Sequence, residues 1–257
     1  MAGPVTISSR DNPLLVTLRK LARDPAAYRK LGAVWLEGEH LCSALRLRGL
    51  RPVQAVVAGS AWAQPRLRAL AQWAPCWVVV PDALFEGFSA LESPARLGFV
   101  LALPDAPAIA PGAAAVVLDR VQDAGNVGSM LRSAAAFGVG QVLALKGTAA
   151  LWSPKVLRAG MGAHFGLRLV EGLAPDDLAA LVVPLVGTSL ATGQLLPTAA
   201  LPRPCAWVFG HEGQGVAPEL LARCAQVLRI PQPGGEESLN VAAAAAICLY
   251  ESERQKG

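Results

Sequence analysis

The chain has 257 residues, 53% of them hydrophobic and 16% charged, enough apolar material for one large or two small cores and too much for a disordered chain. No run reaches the ~18 apolar residues of a membrane span, and no basic region followed by an apolar block opens the sequence. The five cysteines (Cys42, Cys76, Cys205, Cys224, Cys248) and three histidines (His40, His164, His211) lack metal-ligand spacing, so reduced thiols, a cytoplasmic location and no metal are expected. The net charge of +4 is uneven: residues 1–70 hold eleven Lys/Arg against four acids, a net +7, and the rest carries −3. A basic first part suits a polyanionic partner, though a solvated helical face with uneven charge would give the same count.

Residues 1–104 alternate short helical and strand-like runs: helix at Leu14 to Leu21, strand at Val34 to Glu37, helix at His40 to Leu47, strand at Val53 to Ala58. A helix over Pro65 to Trp73 and strands at Trp77 to Val80 and Phe99 to Leu103 complete a small α/β domain. Residues 105–112 fall in a proline-rich stretch that can be neither helix nor central strand, and are predicted to be a semi-rigid linker. From 113 to 257, buried strands are predicted at Ala114 to Leu118, Gln141 to Leu145, Val182 to Gly187, Ala206 to Phe209 and Val227 to Ile230. Near-continuous apolar strands separated by helices imply a parallel sheet covered on both faces, with ligands at the strands' carboxyl ends.

Three glycine-bearing segments follow such strands. The first, Asp123 to Arg132, opens a helix in which Asn126 suits an N-cap and Val127, Leu131, Ala134 and Gly138 share one face. Arg132 points away from that stripe. The second, Phe209 to Gly215, holds three glycines within six residues, a pattern also found in ordinary strand-to-helix turns. The third runs from Ile230 through Pro233, Gly234 and Gly235 to Ser238, Leu239 and Asn240, then into an alanine-rich helix at Val241 to Tyr250. Ser238 would serve as that helix's cap, but a cap does not explain the preceding Pro-Gly-Gly bend, which suits close approach of backbone N–H groups to a ligand. No P-loop is present, and Gly138-Val139-Gly140 lies between helix and strand, the reverse of a dinucleotide fingerprint.

Together the three segments resemble the motifs of the SpoU/TrmH family of RNA 2′-O-ribose methyltransferases, in the SPOUT superfamily. The resemblance implies a carboxyl-terminal trefoil knot, S-adenosylmethionine as cofactor, a homodimer, and an RNA substrate, with ribosomal RNA favoured over transfer RNA. A non-catalytic RNA-binding protein with a decayed centre is the reading outside enzymes. Carried over residue by residue, the resemblance implies a catalytic corner of Asn126, Arg132, Glu212, Ser238 and Asn240. It implies a cofactor pocket of Gly210, Glu212, Gly213, Ile230, Ser238, Leu239 and Asn240, with Thr188 and Ser189 as a further wall. Arg132 would act as a base or as a clamp on a phosphate; neutral guanidinium is scarce near neutral pH, which favours the clamp. His211 stands where family members often have Asn or Ser, and a solvent-facing or loop-bracing role is expected for it.

The first part has its own resemblance. Ile7 to Pro13, Leu18 to Leu21 and Leu36 to His40 are similar to the substrate-binding domain that precedes many SpoU-type catalytic domains. It implies RNA contacts at Arg10, Asn12, Arg19 and Lys20, alongside Arg132, in the basic part of the chain. Leu14-Leu15 replaces the usual lysine after Asn-Pro.

Overall fold

In the computed structural model residues 5–234 and 238–255 are described. The chain divides into two compact units, Met1–Asp105 with Trp152–Phe165, and Ala106–Leu151 with Gly166–Gly257. The expected division into 1–104 and 113–257 has no place for the second crossing, which gives residues 152–165 to the first unit.

The first unit runs β1 (Val5–Thr6), α1 (Pro13–Arg23), α2 (Ala27–Leu31), β2 (Ala33–Glu37), α3 (Glu39–Leu47), β3 (Gln54–Ala58), α4 (Gly59–Trp62), α5 (Pro65–Ala71), β4 (Trp77–Val80), α6 (Asp82–Phe88) and β5 (Leu97–Ala102). Its sheet has the order β1-β4-β3-β5-β2, with β5 antiparallel to both neighbours. Helix α1 shows how the sequence sets an element. Asn12 Oδ1 accepts from Leu14 N at 2.9 Å, and Pro13 fits the first turn. Leu15, Leu18, Leu21 and Ala22 then form one buried stripe.

The second run comprises β6 (Ala115–Leu118), α7 (Ala124–Ala136), β7 (Gln141–Leu145), α8 (Pro154–Gly160), β8 (Arg168–Leu173), β9 (Leu185–Thr188), β10 (Gln194–Leu195), β11 (Ala206–Phe209), α9 (Pro218–Leu221), β12 (Gln226–Arg229) and α10 (Val241–Arg254). Helix α8 packs with the first unit, on α1 and β2. The strands of the second unit form one sheet in the order β10-β12-β9-β11-β6-β7-β8, and every pairing is parallel. Both faces are covered: Ala115, Val117, Leu143, Ala206 and Val208 pack on one side, and the alternating Val116, Leu118, Val142, Trp207 and Phe209 are buried too. Trp207 Nε1 donates to Ser252 Oγ at 2.8 Å, so the indole's one polar atom is satisfied inside the core. Helix α10 packs on α7. Among the described residues no helix is long and apolar enough to cross a membrane.

Two expectations need correcting here. The strand expected at Val182 to Gly187 starts at Leu185, because Val182 is 79% exposed and Pro184 precedes the ladder. Gly138 lies beyond α7 rather than on its buried face: the helix ends at Ala136, and Gly138 takes φ +71° in the turn that closes it.

Candidate active site

Because the sheet is parallel, β12, β9, β11 and β6, adjacent in that order, all release their loops at the same edge. Those loops are residues 230–234 with 238–240, 189–193, 210–217 and 119–123, so the described parts of all three glycine-bearing segments arrive together.

The junction is a directed hydrogen-bond chain. Glu212 accepts at Oε2 from Gln122 N (3.1 Å), and at Oε1 from Asp123 N (3.0 Å) and Asn126 Nδ2 (3.1 Å). Asn126 Oδ1 accepts from Asn240 Nδ2 at 2.9 Å. Asn240 Oδ1 in turn accepts from Ala242 N (2.9 Å) and Ala243 N (3.2 Å) at the start of α10. The direction is forced at both ends: a carboxylate can only accept, and helix-terminal N–H groups can only donate. Partial burial opposes the charge on Glu212, but the donors from Asn126, Asp123 and Gln122 outweigh it and hold the carboxyl at about 2, below its ordinary 4.5.

The helix caps differ from expectation. Asp123, not Asn126, caps α7, its Oδ1 accepting from Asn126 N at 2.8 Å. Asn126 sits inside the first turn, which frees its side chain for the chain of bonds just described. Likewise Asn240, not Ser238, caps α10; Ser238 lies two residues upstream and is exposed. Gly235, Glu236 and Glu237 fall outside the described residues.

Arg132 is exposed on α7, and its side chain makes no hydrogen bond or ion pair among the described residues. His211 braces its own loop: Nδ1 accepts from Gly213 N (3.0 Å) and Gln214 N (3.3 Å), and a backbone bridge joins His211 to Gly215. Gly210 is buried, and a Cβ there would lie 2.0 Å from the Gly215 carbonyl carbon. Its hydrogen side chain therefore lets the loop close on itself. Gly213 is exposed at the loop's tip. Thr188 ends β9 with Oγ1 donating to Val208 O at 3.1 Å, while Ser189 Oγ accepts from Thr192 N at 3.2 Å and shapes the next turn. Ile230 is half-buried, and Leu239 is 38% exposed.

Two residues that carry no motif signal hold the same edge. Asp119 is buried; its Oδ2 accepts from Ala217 N at 2.8 Å, and it pairs with Arg120 at 3.0 Å. Arg120, at φ +58°, donates to Gln214 Oε1 at 3.0 Å. The pair pins the middle and the far end of the 210–217 loop. A buried acid directly after a strand is the only sequence sign of it.

The turn after β12 suits an adenosine-bearing group. Ile230 and Leu239 offer apolar contact, and Gln232 Oε1 is buried without a hydrogen-bond partner among the described residues, an acceptor fit for an adenine amino group. Four thiols are held protonated: Cys205 and Cys224 are pushed up to about 11 by burial, and Cys42 and Cys248 are raised further by the same cause. Among the described residues no group of three or more His, Cys, Asp or Glu could hold a metal ion.

Of the RNA contacts expected in the first unit, Arg10 and Lys20 are exposed. Arg19 Nη2 donates to Arg10 O at 3.3 Å, and Asn12 spends its side-chain oxygen on capping α1.

Residues 113–250 match the model of the SpoU rRNA Methylase family. The chain is 35% identical over 178 residues to the 23S rRNA (guanosine(2553)-2′-O)-methyltransferase RlmP of Bacillus subtilis, covering 68% of this chain and 71% of that protein. It is 31% identical to the Synechocystis protein slr1673, named an uncharacterized tRNA/rRNA methyltransferase, over 98% of this chain and 94% of that one. Among solved structures, an AdoMet-bound rRNA methyltransferase from Sinorhizobium meliloti superposes with a TM-score of 0.84 at 25% identity, covering 98% of both chains.

Proposed function

Because the chain belongs to the SpoU rRNA methylase family, we propose that it transfers a methyl group from S-adenosylmethionine to a ribose 2′-hydroxyl of structured RNA, ribosomal RNA ahead of transfer RNA. The observation that carries this reading is the continuous path Asn240–Asn126–Glu212, which ties the three motif loops into one corner.

The turn around Ile230, Gln232, Ser238 and Leu239 would hold the cofactor, with Thr188, Ser189, Gly210 and Gly213 as walls. When bound, S-adenosylmethionine supplies an activated methyl group open to attack by an oxygen nucleophile. The chain's own task is positioning. Arg132, exposed and unengaged among the described residues, clamps the phosphate beside the target ribose and stabilises the alkoxide that develops at its 2′-oxygen as the hydroxyl proton passes to solvent water. Glu212 is spent on three N–H donors and stays ionised, so it holds the corner rather than accepting the ribose proton. Asn126 and Asn240 lock two loops and the start of α10 in register.

The first unit supplies RNA affinity through Arg10, Arg19 and Lys20, reading phosphates and shape. The knotted thread belongs to the same reading, supported by α10 packing on α7. So does a homodimer, supported by Leu239, Ile247 and Tyr250, which leave α10 and its approach 38%, 40% and 55% exposed at apolar positions. The chemistry requires no metal, and the free cysteines suit a cytoplasmic enzyme.

The test is a map of ribose methylation across total RNA from a deletion strain. One mark should vanish, return with the wild-type gene, and fail to return with Arg132→Ala. A complete map in the deletion strain, or no heat on titrating S-adenosylmethionine into the protein, would reject the reading.

A further inference from the structure

Residues 40–81 contain five arginines and no Asp or Glu. Arg66 is paired with Glu39. Arg46, Arg48, Arg51 and Arg68 are exposed and have no acidic partner among the described residues. Two of them are nevertheless held in place. The guanidinium carbon of Arg51 lies 3.9 Å from the Trp73 ring centroid, and that of Arg46 lies 5.4 Å from it. Arg51 Nη1 donates to Trp73 O at 3.1 Å, and Trp73 Nε1 donates to Leu50 O at 3.4 Å. One half-buried indole thus gathers two cations, which repel each other with no carboxylate to offset them. Beside them Leu47, Leu50 and Val53 are 87%, 41% and 51% exposed. Packing of the unit requires none of this: the side chains lie outside its buried set.

We propose that this shoulder, from Arg46 at the end of α3 to Val53 together with Trp73, binds an unpaired stretch of RNA. Arg46 and Arg51 meet phosphates, and the Trp73–Arg51 stack with Leu47 and Leu50 lies under bases. The proposal rests on RNA being the substrate. The absence of acids fits a polyanion, and the exposed apolar and planar groups fit base faces, which a duplex hides within its stack. Trp73 orders the guanidinium groups in advance, so less side-chain freedom is lost on binding. The surface is separate from Arg10, Arg19 and Lys20, which belong to α1 and the loop before it.

The test titrates the full-length protein against a labelled mixed-sequence single-stranded RNA, and against its annealed duplex, over a range of salt. Arg46→Ala and Arg51→Ala should each weaken single-strand binding and flatten the plot of log affinity against log salt by about 0.7 per lost phosphate contact. Trp73→Leu keeps both charges and should cost single-strand affinity about 5- to 100-fold, the worth of one stacked base, with a smaller loss on duplex. Thermal unfolding of each variant checks the fold, and the two exposed arginines keep the test sound if Trp73→Leu fails to fold. Wild-type salt slopes in both arginine variants, or equal losses on duplex and single strand, would overturn the proposal. Calorimetry with S-adenosylmethionine separates the two readings. Normal cofactor binding with unchanged salt slopes defeats the shoulder alone, and a wild-type chain that binds no cofactor defeats the methyltransferase reading.

Discussion

Asn126 serves two partners with opposite needs: its amide nitrogen gives to a carboxylate, and its oxygen receives from Asn240. That polarity makes a specific prediction. Asn126→Asp cannot donate to Glu212 and sets a second negative charge against it. Asn126→Ala removes one of the three donors to Glu212 and the acceptor for Asn240, but adds no charge. A hydrogen bond to a charged group is worth about 1.5–3 kcal/mol, so the aspartate variant should lose roughly 10- to 100-fold in single-turnover methyl transfer, more than the alanine variant. Equal or reversed losses would show that the bonds do not run in this direction. Arg132 gives a second case. Arg132→Lys keeps the charge but loses the planar fork, and turnover at saturating RNA should fall about 100-fold with cofactor affinity unchanged; near-normal turnover would dismiss its role. Residue types at this corner are legible in the sequence, because Asn, Glu and Arg beside glycine turns stand out. Their bonds are not legible, because which amide faces which carboxylate depends on loops far apart in the chain.

At the scale of elements, the caps show where sequence reading stops. Asp123, Asn126, Ser238 and Asn240 are all capping residue types, and composition cannot rank them. The structure chooses Asp123 and Asn240 because their backbones are extended immediately before the first helical turn. Strands β6, β7 and β11 are legible nearly to the residue from their unbroken apolar runs, whereas β1 and β10, two residues each, carry no periodic signal. The 210–217 loop allows two tests. Gly210→Ala has no room, since the blocking atoms are backbone; the variant should lose the closed loop and, with it, cofactor binding by calorimetry. The loop should also respond to acid. The folded carboxyl of Glu212 titrates at about 2 and the ordinary group at 4.5. Its contribution is therefore fully present above 4.5 and is lost as the pH falls through the folded value. The protection of the Gln122 and Asp123 amides against hydrogen exchange, relative to the intrinsic rate at each pH, should fall across that window in the wild type. In Glu212→Gln it should be low throughout; a wild-type protection that does not change with pH would contradict the assignment.

At the scale of the molecule, the core of the second unit sets its stability. Trp207 is 1% exposed, stacks on Phe209 with ring centroids 6.0 Å apart, and closes the sheet beneath α10 through Ser252. Trp207→Ala should cost about 3–5 kcal/mol, read from the urea midpoint. A loss below 1 kcal/mol would mean the void collapses freely. Such a core is visible in the sequence as apolar strands, but the return of residues 152–165 to the first unit is not, because Ser153-Pro154 reads only as an ordinary helix start and no change of composition marks the crossing. That return bears on protein engineering. A chimaera spliced within residues 105–112 would graft a head onto a foreign body while leaving behind the Pro154–Gly160 helix that seats against α1 and β2. A transplant of the first unit must therefore carry a second, distant piece of the gene.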